Sequence, residues 1–180
     1  MGGRWYTRGM KKQAKAHLIM VYGVAGSGKS FFARKFVEAF RAAYLDVNGL
    51  RYEIFPKPTF GVEEGRAVRH VGVCVLKNLL LGGQTVVLEG GIETLTERDE
   101  IRKLAEGMGY KTMLLWVQTD EATARKRAVS RATEKMTRRQ FDEVAGRTEA
   151  PKAKEEAIVI SGKHTFQTQM KVALGQLTGR

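Results

Sequence analysis

A three-layer α/β fold, with helices on both faces of a five-stranded parallel sheet, is what this chain predicts, and two observations predict it. Short, nearly continuous apolar runs alternate with helically spaced segments from residue 17 to the C-terminus, the pattern of successive βαβ units. The first run leads straight into a glycine-rich stretch, "GVAGSGKS" (23–30), and then into an amphipathic segment. That strand–loop–helix order is how such folds begin.

The expected strands are "HLIMVY" (17–22), "AAYLDV" (42–47), "TVVLE" (85–89), "KTMLLWV" (111–117) and "AIVIS" (157–161). Most are apolar almost throughout, as a strand covered on both faces must be. Between them, "KSFFARKFVEAFRA" sets Phe32, Phe36 and Phe40 four apart on one helical face. The long segment "GVEEGRAVRHVGVCVLKNLLLGG" is stopped by Gly82 and Gly83. "TERDEIRKLAEGMG" opens on Thr96 with Asp99 three residues later, a capping-box spacing, and ends at Gly107 or Gly109. "TDEATARKRAVSRA" has Thr119 and Asp120 as caps, and "HTFQTQMKVALGQL" closes the chain. Residues 133–156 are polar and highly charged, and read as a surface lid with one short helix, "TRRQFDEVAG". With 180 residues, no repeat and no linker, the chain is expected to form one domain over 17–180 behind a flexible basic arm, residues 1–16.

Composition narrows the function classes. Lys and Arg number 31 against 19 Asp and Glu, a net charge of +12, which favours anionic partners such as nucleotides or nucleic acid. The longest apolar stretch is interrupted by Lys77 and Asn78 and is too short to span a bilayer. One cysteine, Cys74, excludes an internal disulfide and fits a cytoplasmic location; its apolar neighbours predict a buried place on a helix. Three histidines (17, 70 and 164) and that cysteine form no metal-binding spacing, and no G-x-S-x-G is present. Trp5 and Trp116 are too far apart in sequence to make a base-stacking platform. The expected state is a monomer or homodimer.

Gly23, Gly28, Lys29 and Ser30 satisfy G-x-x-x-x-G-K-[ST] in the context that pattern requires. Successive main-chain N–H groups in such a loop turn inward around an anion, and the following helix adds the positive end of its dipole. Lys29 then supplies charge for β- and γ-phosphates, and the Ser30 hydroxyl a ligand for Mg²⁺. The expected nucleotide contacts are Gly23, Ala25, Gly26, Ser27, Gly28, Lys29, Ser30 and Phe31. No guanine-reading N-K-x-D is present, which argues against a GTPase.

Four stretches, "GVAGSGKSFFARKF", "LDVNGLR", "GGQTVVLEGGIETLTERDEIRKLAEGMGY" and "VQTDEATARKRAVSRA", together with the lid pattern "RRQFDEV…R-x-E-x-P", resemble the small P-loop kinases. These include polynucleotide 5′-hydroxyl kinases, chloramphenicol phosphotransferase, zeta-toxin kinases and predicted kinases of the AAA-domain-33 type. The resemblance implies a P-loop kinase fold and transfer of the γ-phosphoryl of ATP to a hydroxyl. In relatives an aspartate three residues before an arginine acts on the acceptor hydroxyl. Here Arg51 matches the arginine, but Asn48 stands in the aspartate's place and cannot take a proton. Asp46, two residues earlier, becomes the expected base, with capping of the strand end as its alternative use. Glu89 takes the place of the Walker B aspartate, as a Mg²⁺ or acceptor contact, and Gly90 and Gly91 replace the more usual Asn or Thr.

Arg127 and Arg131, four apart, are expected over the phosphates with Lys29, with Arg125, Arg138 and Arg139 nearby. Arg127 is also expected to contact the nucleotide, and Arg66, Arg69 and His70 to flank the acceptor with Asp46, Asn48 and Arg51. The net charge inclines the acceptor toward a nucleic-acid 5′-hydroxyl or a nucleotide. A small alcohol such as an antibiotic or nucleotide sugar is the alternative acceptor. A nucleotide-binding module or nucleic-acid-associated ATPase without kinase turnover is the alternative activity.

Overall fold

The computed structural model describes residues 16–133 and 135–177. The expected basic arm lies outside the described residues apart from Ala16. Five strands form one sheet: β1 (His17–Tyr22), β2 (Ala43–Asp46), β3 (Val86–Glu89), β4 (Lys111–Gln118) and β5 (Ile158–Ser161). Every neighbouring pair is parallel, in the order β2-β3-β1-β4-β5. The helices are α1 (Lys29–Phe40), α2 (Val47–Ile54), α3 (Val62–Leu81), α4 (Leu95–Gly107), α5 (Glu121–Ser130), α6 (Arg138–Gly146) and α7 (Phe166–Leu177). None is long and apolar enough to cross a membrane, among the described residues.

Side chains alternate across each strand, and this sorts the core into two layers. Leu18, Met20 and Tyr22 of β1 pack with Val68, Leu76 and Leu80 of α3 and Ile101 and Ala105 of α4. Ile19 and Val21 face the other way, onto Phe32, Ala33 and Phe36 of α1 and Met170 and Ala173 of α7. The two sets make a three-layer αβα sandwich, the P-loop kinase fold. Phe40 shares the α1 face of Phe32 and Phe36, stacked on Phe36 at 4.5 Å between ring centroids, but at the end of the helix it is 47% exposed.

A third apolar cluster ties the lid down. Phe141 of α6 and Met136 pack with Ala124 and Ala128 of α5 and with Phe60 from the α2–α3 loop, against Val24 and Ala25.

Three local expectations need correction. Residues 47–54 form a helix that the sequence pattern does not announce, because Asn48 and Gly49 read as a turn. What starts it is Asp46, whose Oδ1 accepts the Gly49 N–H at 2.9 Å. The capping box of α4 is Thr94 with Glu97, two residues earlier than Thr96 with Asp99; Asp99 pairs instead with Lys103 at 2.8 Å. Cys74 is exposed, since the buried stripe of α3 runs through Val68, Gly72, Leu76 and Leu80.

Candidate functional site

The carboxyl ends of β1, β3 and β2 lie side by side, with Val21 opposite Glu89 and Glu89 opposite Asp46 in the strand register. This register brings the glycine-rich loop and two carboxylates to one edge of the sheet, where open α/β sheets place their ligands. A cavity of about 300 Å³ opens there, lined by Gly23, Val24, Ala25, Lys29, Ser30, Asp46 and Glu89 at one end. Its far end is formed by α2, α3, the β3–α4 loop and the lid.

The P-loop end is built from main chain. Ser27 N donates to Val24 O at 3.1 Å, closing the turn. Gly26 has φ +78°, and a Cβ there would run into the Ala124 carbonyl oxygen of α5, so a glycine is required. Gly28, also left-handed, caps α1, which aims its free N–H groups at the loop. Lys29 is buried, donates to Val24 O at 2.9 Å, and is pulled below the usual lysine range by burial, against the opposing charges of Glu89 and Glu93.

Ser30 Oγ donates to Glu89 Oε1 at 2.6 Å, and the Tyr44 hydroxyl donates to Glu89 Oε2 at 2.7 Å. Tyr44 also lies 3.4 Å from Asp46 Oδ2, and burial beside Glu89 pushes its phenol well above the ordinary value. Glu89 is thus 2% exposed with both oxygens held. A serine hydroxyl touching a fixed carboxylate beside a phosphate cradle is the hard-oxygen donor set that Mg²⁺ takes together with phosphate oxygens. Among the described residues no group of three or more His, Cys, Asp or Glu forms a protein-only cage, and Mg²⁺ bound with a nucleotide needs none.

The far end is built from side chains, and most are matched. Arg51 pairs with Glu64 and lies over the Phe60 ring at 4.8 Å. Arg69 reaches Glu100 at 2.6 Å and Glu97 at 3.6 Å; Arg66 reaches Glu63 at 2.7 Å on the exposed side of α3. The lid is latched across this end twice. Arg147 Nη2 donates to Phe60 O at 2.7 Å, and Gln140 Nε2 to Pro58 O at 3.1 Å.

The β3–α4 loop, which carries Glu93, hangs on Arg98. Arg98 Nη1 donates to Ile92 O and Glu93 O, each at 3.2 Å, and Glu149 N donates to Glu93 O at 2.9 Å. The guanidinium is fully buried, forks onto Glu155 at 2.7 and 3.1 Å, and sits 4.7 Å from the Tyr22 ring centroid. Burial alone would raise the Glu155 carboxyl; hydrogen bonds from Arg98 and Lys152 outweigh it and hold the group below the usual range. Burial likewise pushes the Tyr22 phenol up to about 12.

The cavity gathers Gly23, Ala25, Lys29, Ser30, Asp46, Asn48, Arg51, Arg66, Arg69, Glu89 and Arg131 from the expected set. Asp46 is there while also capping α2. Ser27 is fully buried behind the loop, and neither Gly26 nor Gly28 lines the cavity. Phe31, on the outer face of α1, is 54% exposed. Arg127 and Arg131 do not act from one helical face. Arg131 follows the end of α5 into the cavity, whereas Arg127 Nη1 reaches Gly162 O at 3.4 Å, outside it. Arg125 pairs with Glu121 and Asp142, Arg139 with Glu143, and Arg138 and His70 are exposed.

Sequence reasoning missed Tyr44, Glu93, Thr94, Glu97, Arg147 and Thr148. The Thr94-x-x-Glu97 spacing was a usable signal for two of them. Gly90 is explained too: at φ +80°, a Cβ there would lie 2.7 Å from Asn48 Nδ2, so the side chain of Asn48 occupies the space.

Residues 18–151 match the AAA_33 family, described as an AAA domain, and the chain belongs to that family. Solved structures share its fold. A gluconokinase from Sinorhizobium meliloti 1021 superposes with a TM-score of 0.68 at 18% identity, over 91% of this chain and 93% of that one. Kti12 from Chaetomium thermophilum, in complex with ADP-AlF3, gives 0.71 at 16% identity, over 89% and 97%. The APS kinase CysC of Mycobacterium tuberculosis, in complex with AMPPNP and APS, gives 0.61 at 19%, over 91% and 98%. No curated protein matches the chain by sequence.

Proposed function

We propose that the protein is a kinase that transfers the γ-phosphoryl group of ATP to the hydroxyl of an acceptor bound in the far end of the cavity. One observation carries this reading: Lys29, Ser30, Glu89, Asp46 and Arg131 line a single cavity whose other half is walled and roofed by the lid. The part of this cavity beyond the P-loop end offers a place for an acceptor beside the phosphates. Gluconokinase and APS kinase, solved with the same fold, are kinases by name.

In this reading main-chain N–H groups of residues 23–30 hold the phosphates, and Lys29 neutralises the charge that develops on the transferred group. Ser30 and Glu89 would hold Mg²⁺, which supplies charge neutralisation and alignment of the phosphate chain. Arg131 adds a cation from the lid side, and Arg127 stands at the Gly162 rim for the nucleotide. As the bond from the γ-phosphorus to the bridging oxygen breaks, the acceptor oxygen bonds to phosphorus and its proton passes to Asp46. Both Asp46 oxygens have neighbours already, Gly49 N and the Tyr44 hydroxyl. The carboxylate is therefore positioned more than it is reactive, which suffices where positioning dominates.

ADP release measured with and without acceptors tests the proposal: ADP should form only when a competent acceptor is present. Equal ADP formation in water and with every acceptor would favour the ATPase reading. The net charge of +12 supports a second reading of the acceptor, a 5′-hydroxyl on a nucleic acid or a nucleotide. Binding to a short oligonucleotide should then weaken steeply as salt rises.

A further inference from the structure

We infer that the acceptor is a small alcohol without a phosphate, presenting hydroxyl or amino hydrogens to the Glu93 carboxylate between the two ends of the cavity. This rests on the kinase reading above and narrows it.

Charge matching at the far end is the first support. Three of its arginines come with their own carboxylates: Arg51 with Glu64, Arg69 with Glu97 and Glu100, Arg66 with Glu63. Arg147 gives two of its five donors to the Phe60 and Glu143 carbonyls, at 2.7 and 3.1 Å. To use Arg51, Arg66 or Arg69, a phosphate on the acceptor would have to displace the paired carboxylate, at the cost of a close like-charge contact. Arg51, Arg66 and Arg69 are therefore balanced by carboxylates of this protein before any acceptor binds.

Glu93 itself is the second support. Its main-chain carbonyl is fixed by Arg98 and Glu149, so the side chain projects from a braced loop into the lining. Its Oε1 accepts the Gly91 N–H at 3.2 Å, and its own main-chain N–H also bonds the carboxylate. Burial, helped by the charge of Glu97, raises this carboxyl against the opposing charge of Lys29. A hydroxyl or ammonium group reaching this lining would add donors to the carboxylate, whereas a phosphate would repel it.

The roof is the third. Two latches, Arg147 to Phe60 O and Gln140 to Pro58 O, join the lid to the α2–α3 loop over a cavity of about 300 Å³. That space suits a small molecule taken whole rather than the end of a polymer.

Transfer from labelled ATP to two acceptor panels tests this. One holds neutral and amino alcohols (glycerol, inositol, glucosamine, nucleosides). The other holds phosphate-bearing counterparts (sugar phosphates, nucleoside monophosphates and a 5′-hydroxyl oligonucleotide). Product is expected in the first panel only. Glu93→Gln should raise the acceptor KM by about ten- to a hundredfold, leave the KM for ATP nearly unchanged, and still bind an ATP analogue, which shows that the variant folds. Glu93→Arg should shift residual transfer toward the phosphate-bearing panel. Transfer to the second panel by the unaltered chain, an acceptor KM indifferent to Glu93→Gln, or no product in either panel while the analogue still binds would each overturn the assignment. Acceptor-independent ADP release would mark a different failure, that of the kinase reading itself.

Discussion

The two ends of the cavity are made in different ways. The P-loop end comes from eight consecutive residues, and it is shaped by their main-chain N–H groups, glycine dihedrals and the helix that follows. Side chains there are few and crowded: Lys29 on Val24 O, Ser30 and Tyr44 on Glu89. The far end draws on α2, the α2–α3 loop, α3, the β3–α4 loop and the lid, and its parts are joined by ion pairs and carbonyl latches. A contiguous main-chain site survives substitution of neighbours as long as its dihedrals hold. A dispersed side-chain site depends on whatever holds its pieces in register, and here that is Arg98 with Glu155.

The largest effect should therefore come from a residue that touches no ligand. Arg98→Met leaves Glu155 buried without its partner and frees the Ile92 and Glu93 carbonyls, and should cost about 3–5 kcal/mol in a urea melt. Replacing both partners, Arg98→Met with Glu155→Leu, should recover much of that. The pH dependence should also change sign. In the unaltered protein Glu155 is held below its ordinary value, so its contribution is complete above about pH 4.3, the unfolded value, and is lost as pH falls further. In Arg98→Met, burial is left to raise Glu155, so that contribution turns unfavourable at neutral pH and eases on acidification.

Lys29→Met comes next and sharpens the contrast. It should lower kcat/KM by about 10²–10³-fold, as loss of a charge-stabilising donor does. Thermal stability should hold or rise, because burial already disfavours the lysine charge. One substitution would remove the chemistry and keep the fold; the other would loosen the fold around an intact phosphate cradle.

The same division decides what could be read from the sequence. The glycine-rich loop was legible because its parts are adjacent in the sequence; so were the five strands, whose burial on both faces leaves continuous apolar runs. α2 was hidden because Asn48 and Gly49 resemble a turn, and only the Asp46 cap, seen in three dimensions, makes them helical. Glu93 was missed because nothing local distinguishes it from the neighbouring acids Glu97 and Asp99; its position comes from Arg98 and Glu149, far apart in the chain. Arg127 and Arg131 were grouped by helical spacing, but α5 ends at Ser130, so the periodicity stops before it can align them.

Tyr44→Phe tests whether the P-loop end also has a side-chain dependence. It removes the donor to Glu89 Oε2 and should weaken Mg²⁺-dependent nucleotide binding by about tenfold, the size of one hydrogen bond to a charged group. Calorimetric titration of ATP at several Mg²⁺ concentrations would measure it, and unchanged Mg²⁺ dependence would place Tyr44 outside that role.

The smallest effect belongs to the lid. Gln140 does two jobs: its Oε1 accepts the Thr137 N–H at 2.8 Å, capping α6, and its Nε2 latches Pro58 O at 3.1 Å. Gln140→Glu keeps an acceptor for the cap and removes the donor for the latch. Stability should move by only about 0.5–1.5 kcal/mol, since Phe141 and Met136 still anchor the lid in its apolar cluster. Amide exchange of α6 should nevertheless quicken, and product should leave faster if lid opening limits turnover. Were exchange to quicken at the P-loop as well, the two ends would be one cooperative unit and the division between them would fail. If only α6 and the α2–α3 loop respond, the far end opens on its own while the phosphates remain held.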